Sequence, residues 1–78
     1  MKLIIKNNNN NIEYNFISIH IITNNLLYSL FKDHQNIILN LIKSKIEIID
    51  KENKAVVLFN NINGILFLKN NIIELIIY

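Results

Sequence analysis

The sequence predicts a small α+β fold in two layers, with one amphipathic helix packed on an antiparallel sheet in the order β-β-α-β-β-β-β. Three observations predict it. Short apolar runs alternate with turn-forming residues near the start of the chain and throughout its second half. The segment between them follows a helical periodicity. The length of 78 residues suits one domain spanning residues 1–78.

The apolar content is unusually high for so short a chain. It includes 19 isoleucines, 10 leucines and 4 phenylalanines, and there is no cysteine to form a disulfide. A domain of this size buries only about 60–65% of the surface that its unfolded chain exposes. Packing must therefore hold the fold together. The apolar excess also favours self-association, most simply as a homodimer.

The first two strands are predicted within residues 2–22. Residues 2–6 form a short strand flanked by lysines, and the asparagine tract 7–11 forms a turn or loop. Residues 12–22 form a second strand in which the apolar face changes at Phe16–Ile17. A change of face within one strand indicates either a β-bulge or a sharply bent strand that serves two parts of a sheet.

A helix is predicted from about residue 25 to residue 43. Thr23, Asn24 and Asn25 are suitable N-cap residues. The expected buried face has helical spacing and comprises Leu27, Leu30, Phe31, His34, Ile38, Leu41 and Ile42. A helix that ends near Asp33, followed by a strand over residues 37–42, is the alternative, because isoleucine has a high β-propensity.

The rest of the chain predicts an antiparallel meander. Strands are expected at residues 46–49, 55–59, 65–69 and 72–78. The charged segment 50–54 and the pair Asn70-Asn71 are expected turns. Asn63-Gly64 contains the only glycine and is a typical type I′ hairpin pair, because both central residues of that turn need a positive φ.

The chain lacks the usual motifs for catalysis and cofactor binding. His20 and His34 have no metal-ligand spacing, and no serine lies in a nucleophile motif. A single glycine excludes a phosphate-binding loop. We therefore predict no catalytic residue, no metal site, no cofactor and no enzymatic activity.

One short segment superficially matches a metal-dependent nuclease element. Glu52-Asn53-Lys54, with Asp50 just before it, has the acidic-x-lysine pattern. Those enzymes hold a divalent ion with carboxylates on adjacent strand positions. Here the trio falls at a predicted hairpin tip, without an upstream Pro-Asp pair or an arginine. A solvated turn is the better interpretation.

The charge of the chain argues only weakly for a polyanionic partner. The net charge is +2, and all eight basic residues are lysines. Lysine, asparagine and isoleucine share AT-rich codons, so a biased genome explains much of this composition. Nucleic-acid binding through Lys2, Lys6, Lys43, Lys45 and Lys69 remains an alternative function.

The sequence also favours a cytoplasmic protein. Residues 1–6 lack the apolar core of a signal peptide. The charge-free stretch 14–31 has the length of a membrane span, but a helix there would place His20 and several asparagines in hydrocarbon. We expect no membrane partner.

The final strand is the main candidate interaction surface. Between residues 72 and 78 only Glu74 is polar, so the strand is apolar on both faces. Such a strand is either central and covered on both sides, or paired with another chain. The predicted interface residues are Ile72, Glu74, Ile76 and Tyr78.

These observations favour a small non-catalytic protein-interaction module. An inhibitor or accessory subunit that occludes or bridges a macromolecular partner fits best. Compact domains without motifs from AT-rich genomes are often of this kind in phages and mobile elements, which is an argument by analogy. The alternatives are a lysine-based nucleic-acid-binding domain and a structural component of a homo-oligomer.

Overall fold

The chain folds as an all-β protein. A computed structural model describes residues 1–7 and 10–78, and this part contains seven strands and no helix. It therefore also contains no helix that is long and apolar enough to cross a membrane. The α+β prediction is wrong. The strands are β1 (Lys2–Asn7), β2 (Asn10–Asn15), β3 (Ser18–Thr23), β4 (Leu26–Leu30), β5 (Ile37–Ile49), β6 (Ala55–Lys69) and β7 (Ile72–Ile77).

The predicted helix over residues 25–43 is replaced by a hairpin, an irregular connection and a long strand. Asn24 and Asn25 have φ angles of 48° and 63°, so they form a tight turn between β3 and β4 instead of capping a helix. Asparagine tolerates this left-handed region better than most residues do. The alternative strand over residues 37–42 is confirmed as the first part of β5.

The expected buried face of the helix does not form. Leu30 and Leu41 are buried, with 1% and 2% of their surface exposed. By contrast, Leu27, Phe31 and Ile38 are 64%, 54% and 69% exposed. The helical spacing of these residues is thus a coincidence within a segment where isoleucine and leucine are frequent.

The predicted Asn63-Gly64 hairpin is also wrong, because β6 runs through it without interruption. Gly64 has no positive φ. Its place in the fold depends on close backbone approach: a Cβ added there would collide with the Ile76 carbonyl oxygen and lie 3.3 Å from Ile77 Cα. The glycine therefore lets β7 pack against the middle of β6.

The strands form one mixed sheet in the order β2-β1-β7-β6-β5-β3-β4. Every pairing is antiparallel except that of β1 with β7, the first and last strands of the chain. Asn7 pairs with Asn10, and the rest of the predicted asparagine turn, residues 8 and 9, lies outside the described residues.

The predicted single strand over residues 12–22 is wrong, because the structure has two strands there, and Phe16–Ile17 forms the corner between them. It joins β2, at one edge of the sheet, to β3, which lies beside β5 near the other edge. In a flat sheet these strands would be about 24 Å apart, at ~4.8 Å per strand. The short connection reaches only about 10 Å, at ~3.5 Å per residue. The sheet must therefore fold over on itself.

Strands β5 and β6 bend and contribute to both parts of the folded sheet. Residues 37–41 and 64–69 pair with each other beside β7, β1 and β2, which we call the β1 half. Residues 44–49 and 55–62 pair beside β3 and β4, which we call the β3 half. Register shifts between Leu41 and Ser44 mark the bend, where Lys43 has a φ of 46°.

The hydrophobic core draws on both halves. Alternate residues of each strand point inward, and polar side chains near the bend satisfy their hydrogen bonds locally: Ser44 Oγ donates to the Ile42 carbonyl at 3.2 Å. The buried apolar residues are Leu3, Ile5, Phe16, Ile19, Ile21, Leu30, Leu41, Ile46, Ile48, Leu66, Leu68, Ile73 and Leu75.

Candidate functional site

The outward side of the β1 half exposes several large apolar side chains next to one another. Strand register places Ile4 opposite Glu74, Glu74 opposite Phe67, and Phe67 opposite Ile38. These four side chains form a row across the strands, and a similar row lies on either side of it. We call the set the outer face; it consists of Lys2, Ile4, Lys6, Ile38, Asn40, Ile65, Phe67, Lys69, Ile72, Glu74 and Ile76.

Several side chains of the outer face are exposed although they are large and apolar. Ile38 is 69% exposed, Ile72 is 42% exposed and Ile76 is 37% exposed. Ile4, Ile65 and Phe67 fill the space between them and are partly buried. Single exposed apolar residues are normal on a protein surface, but a contiguous group of them usually marks an interaction site.

The surface beside Phe67 is concave. One depression of about 470 Å³ is lined by Ile38, Phe67, Lys69 and their neighbours. A second, of about 370 Å³, shares Phe67 and Lys69 and extends to Ile72 and Glu74. Phe67 thus forms a ridge between two shallow depressions, and each can accept an apolar side chain of a binding partner.

Charged side chains lie among the apolar side chains of the outer face. Lys2 lies 3.5 Å from Glu13 and Lys6 lies 3.2 Å from Glu74, and both ion pairs are exposed. Lys69 forms no ion pair with any described residue. Exposed pairs of this kind add little to stability. They do give the face both signs of charge next to its apolar side chains.

The predicted interface residues of β7 lie partly on this face. Ile72, Glu74 and Ile76 belong to it, and Tyr78 follows with 76% of its surface exposed. Strand β7 itself is hydrogen-bonded on both sides, to β1 and to β6, so its backbone cannot accept a further strand. Its alternative description as a central strand is the one that the structure shows. A side-chain interface there stays a prediction.

The five lysines predicted to contact a polyanion do not share one surface. Lys2, Lys6 and Lys69 belong to the outer face, two of them paired with glutamates. Lys43 lies at the bend of β5, where its N–H donates to Asn63 Oδ1 at 2.9 Å. Lys45 lies on the β3 half, beside His20 and Glu47. Nucleic-acid binding through these residues also stays a prediction.

His20 and Ser29 make a polar contact that the sequence did not indicate. His20 Nδ1 and Ser29 Oγ share a hydrogen bond of 2.9 Å, because the β3–β4 hairpin places them directly opposite each other. Glu47 is the partner of His20 on the other side of β3. The helix prediction hid this arrangement by placing Ser29 on the far side of a helix.

This contact lacks the remaining parts of a nucleophilic site within the described residues. A serine nucleophile needs a base that a third group orients and donors for the oxyanion. No hydrogen bond joins Glu47 to His20, and Phe31 packs edge-on against the imidazole at 6.4 Å between ring centres. We interpret the pair as a cross-strand contact on a partly exposed sheet surface.

The other polar residues of interest lie in connections. His34 is in the segment between β4 and β5, where its Nδ1 donates to the Gln35 carbonyl at 2.7 Å. Asp50 Oδ1 accepts hydrogen bonds from the N–H groups of Glu52 and Lys54, at 2.9 Å each. The nuclease-like trio is therefore an exposed turn closed by Asp50. Within residues 1–7 and 10–78, no three histidines, aspartates or glutamates are grouped to hold a metal ion.

Comparison with known proteins assigns no family to this fold. No protein-family model matches the chain, and no curated protein sequence is significantly similar to it. The function must therefore be argued from the surface itself.

Sequence reasoning found part of the outer face and missed the rest. Ile72, Glu74 and Ile76 were expected at an interface, but Ile4, Ile38 and Phe67 were not. The alternation of residues 65–69 carried a signal, because Phe67 falls on the side opposite Leu66 and Leu68. Ile38 could not be found, because its strand was assigned to a helix.

Proposed function

We propose that this chain is a small cytoplasmic protein-interaction module, an inhibitor or accessory subunit, whose outer face binds a protein partner. The observation that carries the proposal is the apolar surface around Phe67, which extends across four strands and exposes Ile38, Ile72 and Ile76. Aromatic side chains such as that of Phe67 are enriched in protein–protein interfaces.

The chemistry of the face favours a protein over a nucleic acid. The face and its border carry three lysines, Lys2, Lys6 and Lys69, and two glutamates, Glu13 and Glu74, and two of the lysines are already paired with these glutamates. Carboxylates on the face repel phosphates, whereas its exposed apolar side chains attract another apolar surface. We expect the partner to present apolar side chains to the depressions beside Phe67 and a carboxylate to Lys69.

Site-specific photo-crosslinking tests this proposal. A benzophenone amino acid at position 67, in chain expressed in the cells of origin, should crosslink one protein that mass spectrometry can identify. The matched control carries the same group at position 22, because Ile22 is 45% exposed on the β3 half. Equal products at both positions, or none at position 67, would contradict the proposal.

The identified protein should then be purified and its affinity measured. Ile38→Lys should weaken binding by about 10-fold or more, because a buried interface charge costs at least ~1.4 kcal/mol. Ile22→Lys should leave the affinity unchanged. The proposal fails if both variants bind like the wild type. A single-stranded oligonucleotide that binds the wild type, and binds Lys69→Glu less tightly, would favour the nucleic-acid alternative instead.

A further inference from the structure

The first part of β6 is a sheet edge. Residues 64–69 of this strand pair with β5 on one side and with β7 on the other. Residues 55–62 pair with β5 only, and no described strand lies along their other side. The N–H and C=O groups on that side therefore offer hydrogen bonds to an added strand.

The core is open along this edge. Val56 lies opposite Ile48, which is 3% exposed, so its side chain points toward the core side of the sheet. Nevertheless Val56 is 39% exposed and its neighbour Val57 is 44% exposed. An inward-facing valine with this exposure lacks the neighbouring strand that normally covers such a position.

The edge carries few of the features that natural proteins use to prevent strand addition. Charged side chains, prolines and bulges are the usual ones. No charged residue occurs between Lys54 and Lys69, and the chain contains no proline. One protective feature is present: a register shift between Ile46 and Glu47 leaves Leu58 as an extra residue. The unprotected part is therefore residues 55–57, which we call the β6 edge.

The backbone direction of the β6 edge follows from the adjoining turn. The Asp50 N–H donates to the Lys54 carbonyl at 2.9 Å, so residues 50 and 54 form a hydrogen-bonded pair. Hydrogen-bonded and non-hydrogen-bonded pairs alternate along an antiparallel ladder. Val56 consequently directs its N–H and C=O toward Ile48 of β5. Ala55 and Val57 direct theirs toward the free side.

We propose that two copies of this chain pair through their β6 edges, antiparallel and related by a twofold axis at Val56. This register places Ala55 of one copy opposite Val57 of the other, so that the free backbone groups of each bond to the other. The two Val56 side chains meet on the core side and cover each other. A twofold arrangement uses the same segment from both copies and closes the assembly as a dimer.

The charges flanking the edge permit this pairing. Lys54 of one copy lies opposite Leu58 of the other. The two Lys54 residues are four residue steps apart along the strands, or about 14 Å, which is more than the Debye length of ~8 Å at physiological salt. Because the pairing involves only a short segment, we expect a small interface and a weak, concentration-dependent dimer. The outer face stays free for its partner.

Disulfide trapping tests the register directly, because the chain has no native cysteine. In the proposed dimer, residue 56 faces itself in a non-hydrogen-bonded pair with about 4.5 Å between Cα atoms, within the range for a disulfide. The variant Val56→Cys should therefore form a disulfide-linked dimer under mild oxidation. The control Ile38→Cys, at a more exposed position, should crosslink at least 10-fold more slowly. Equal rates for the two variants would overturn the proposal.

Measurements without a new cysteine keep the proposal testable. Sedimentation over a wide concentration range should show a monomer–dimer equilibrium for the wild type. Val57→Lys should weaken it by ~10-fold or more, while Ile38→Lys should leave it unchanged. The wild-type amides of Ala55 and Val57 should exchange more slowly with solvent as concentration rises. A wild type that is monomeric at every concentration would refute dimerisation through the β6 edge. A dimer that Ile38→Lys breaks and Val57→Lys does not would refute it as well.

These results are independent of the outer-face proposal. Val57→Lys should still bind the crosslinked partner with wild-type affinity, because position 57 is on the other half of the sheet. If Val57→Lys loses the dimer and still binds the partner, the β6 edge and the outer face act independently.

Discussion

At the residue scale, asparagine determines where the chain reverses. Among the described residues, seven other than glycine have a positive φ, and five of these are asparagines: Asn24, Asn25, Asn53, Asn70 and Asn71. Two Asn-Asn pairs each form a two-residue turn, joining β3 to β4 and β6 to β7. Genome composition explains why asparagine is abundant. It does not explain why consecutive asparagines occupy the central positions of two hairpin turns. Their tolerance of the left-handed region does explain it.

A pair of substitutions at Asn25 isolates this conformational effect. Asn25 has a φ of 63°, and its side chain makes no hydrogen bond with another described side chain or with the backbone. Asn25→Ala should destabilise the fold by about 1 kcal/mol, because alanine tolerates the left-handed region less well than asparagine does. Asn25→Gly should be neutral within ~0.5 kcal/mol, since glycine reaches this φ without steric cost. Urea unfolding of both variants checks this. Equal stability would show that the turn relaxes without cost.

At the element scale, the packing of β7 against β6 depends on a glycine that sequence reasoning assigned to the wrong role. Asn63-Gly64 matches the hairpin pattern, yet the strand continues and β7 packs against it. The Asn63 side chain accepts a hydrogen bond from Lys43 N–H, and the Asn63 carbonyl accepts one from Tyr78 N–H at 3.0 Å. The pair thus joins three strands at the bend.

Gly64→Ala should lower the free energy of unfolding by about 3 kcal/mol, because the added methyl group collides with backbone and not with a flexible side chain. Asn61→Ala is the matched control, an exposed position in the same strand, with an expected change within ~0.5 kcal/mol. Chemical denaturation of both variants provides the comparison. A tolerated alanine at position 64 would mean that β6 and β7 separate there easily.

At the scale of the whole molecule, the two ends of the chain hold the β1 half together. Strand β1 lies between β2 and β7, and its parallel pairing with β7 joins residues 70 positions apart, such as Leu3 and Ile73. Leu3 and Ile5 of β1 are 0% and 4% exposed. The core therefore cannot be completed until both ends are in place, which makes the fold rich in long-range contacts and predicts slow folding.

A chain lacking residues 1–7 should not fold. The deletion removes two buried core residues, and the loss of each costs ~2–5 kcal/mol. The total stability expected for 78 residues is about 4–12 kcal/mol. The deletion also leaves β2 and one side of β7 without a partner. The amide resonances of the truncated chain should collapse into a narrow range in a ¹H–¹⁵N spectrum. Removal of Tyr78 alone, which is 76% exposed, should preserve the dispersed spectrum. A dispersed spectrum for the truncated chain would contradict this account.

The sequence alone determined which segments are apolar, where most turns fall and where the chain turns the corner after β2. Residues 2–6, the corner at Phe16–Ile17, the turn at residues 50–54 and the Asn70-Asn71 turn all appear as the local pattern indicates. These features depend on interactions among residues close together in the chain, so composition and spacing reveal them.

Only the tertiary structure decided the fold class and the composition of the outer face. Residues 25–43 satisfy a helical spacing and also suit strands, and their isoleucines bury as strands because β6 and β3 offer backbone partners on either side of β5. Strand propensity depends on such neighbours. The assembly of Ile4, Ile38, Phe67 and Ile76 on one surface likewise requires the order of the strands. That order arises from pairing between distant segments, which no local pattern encodes.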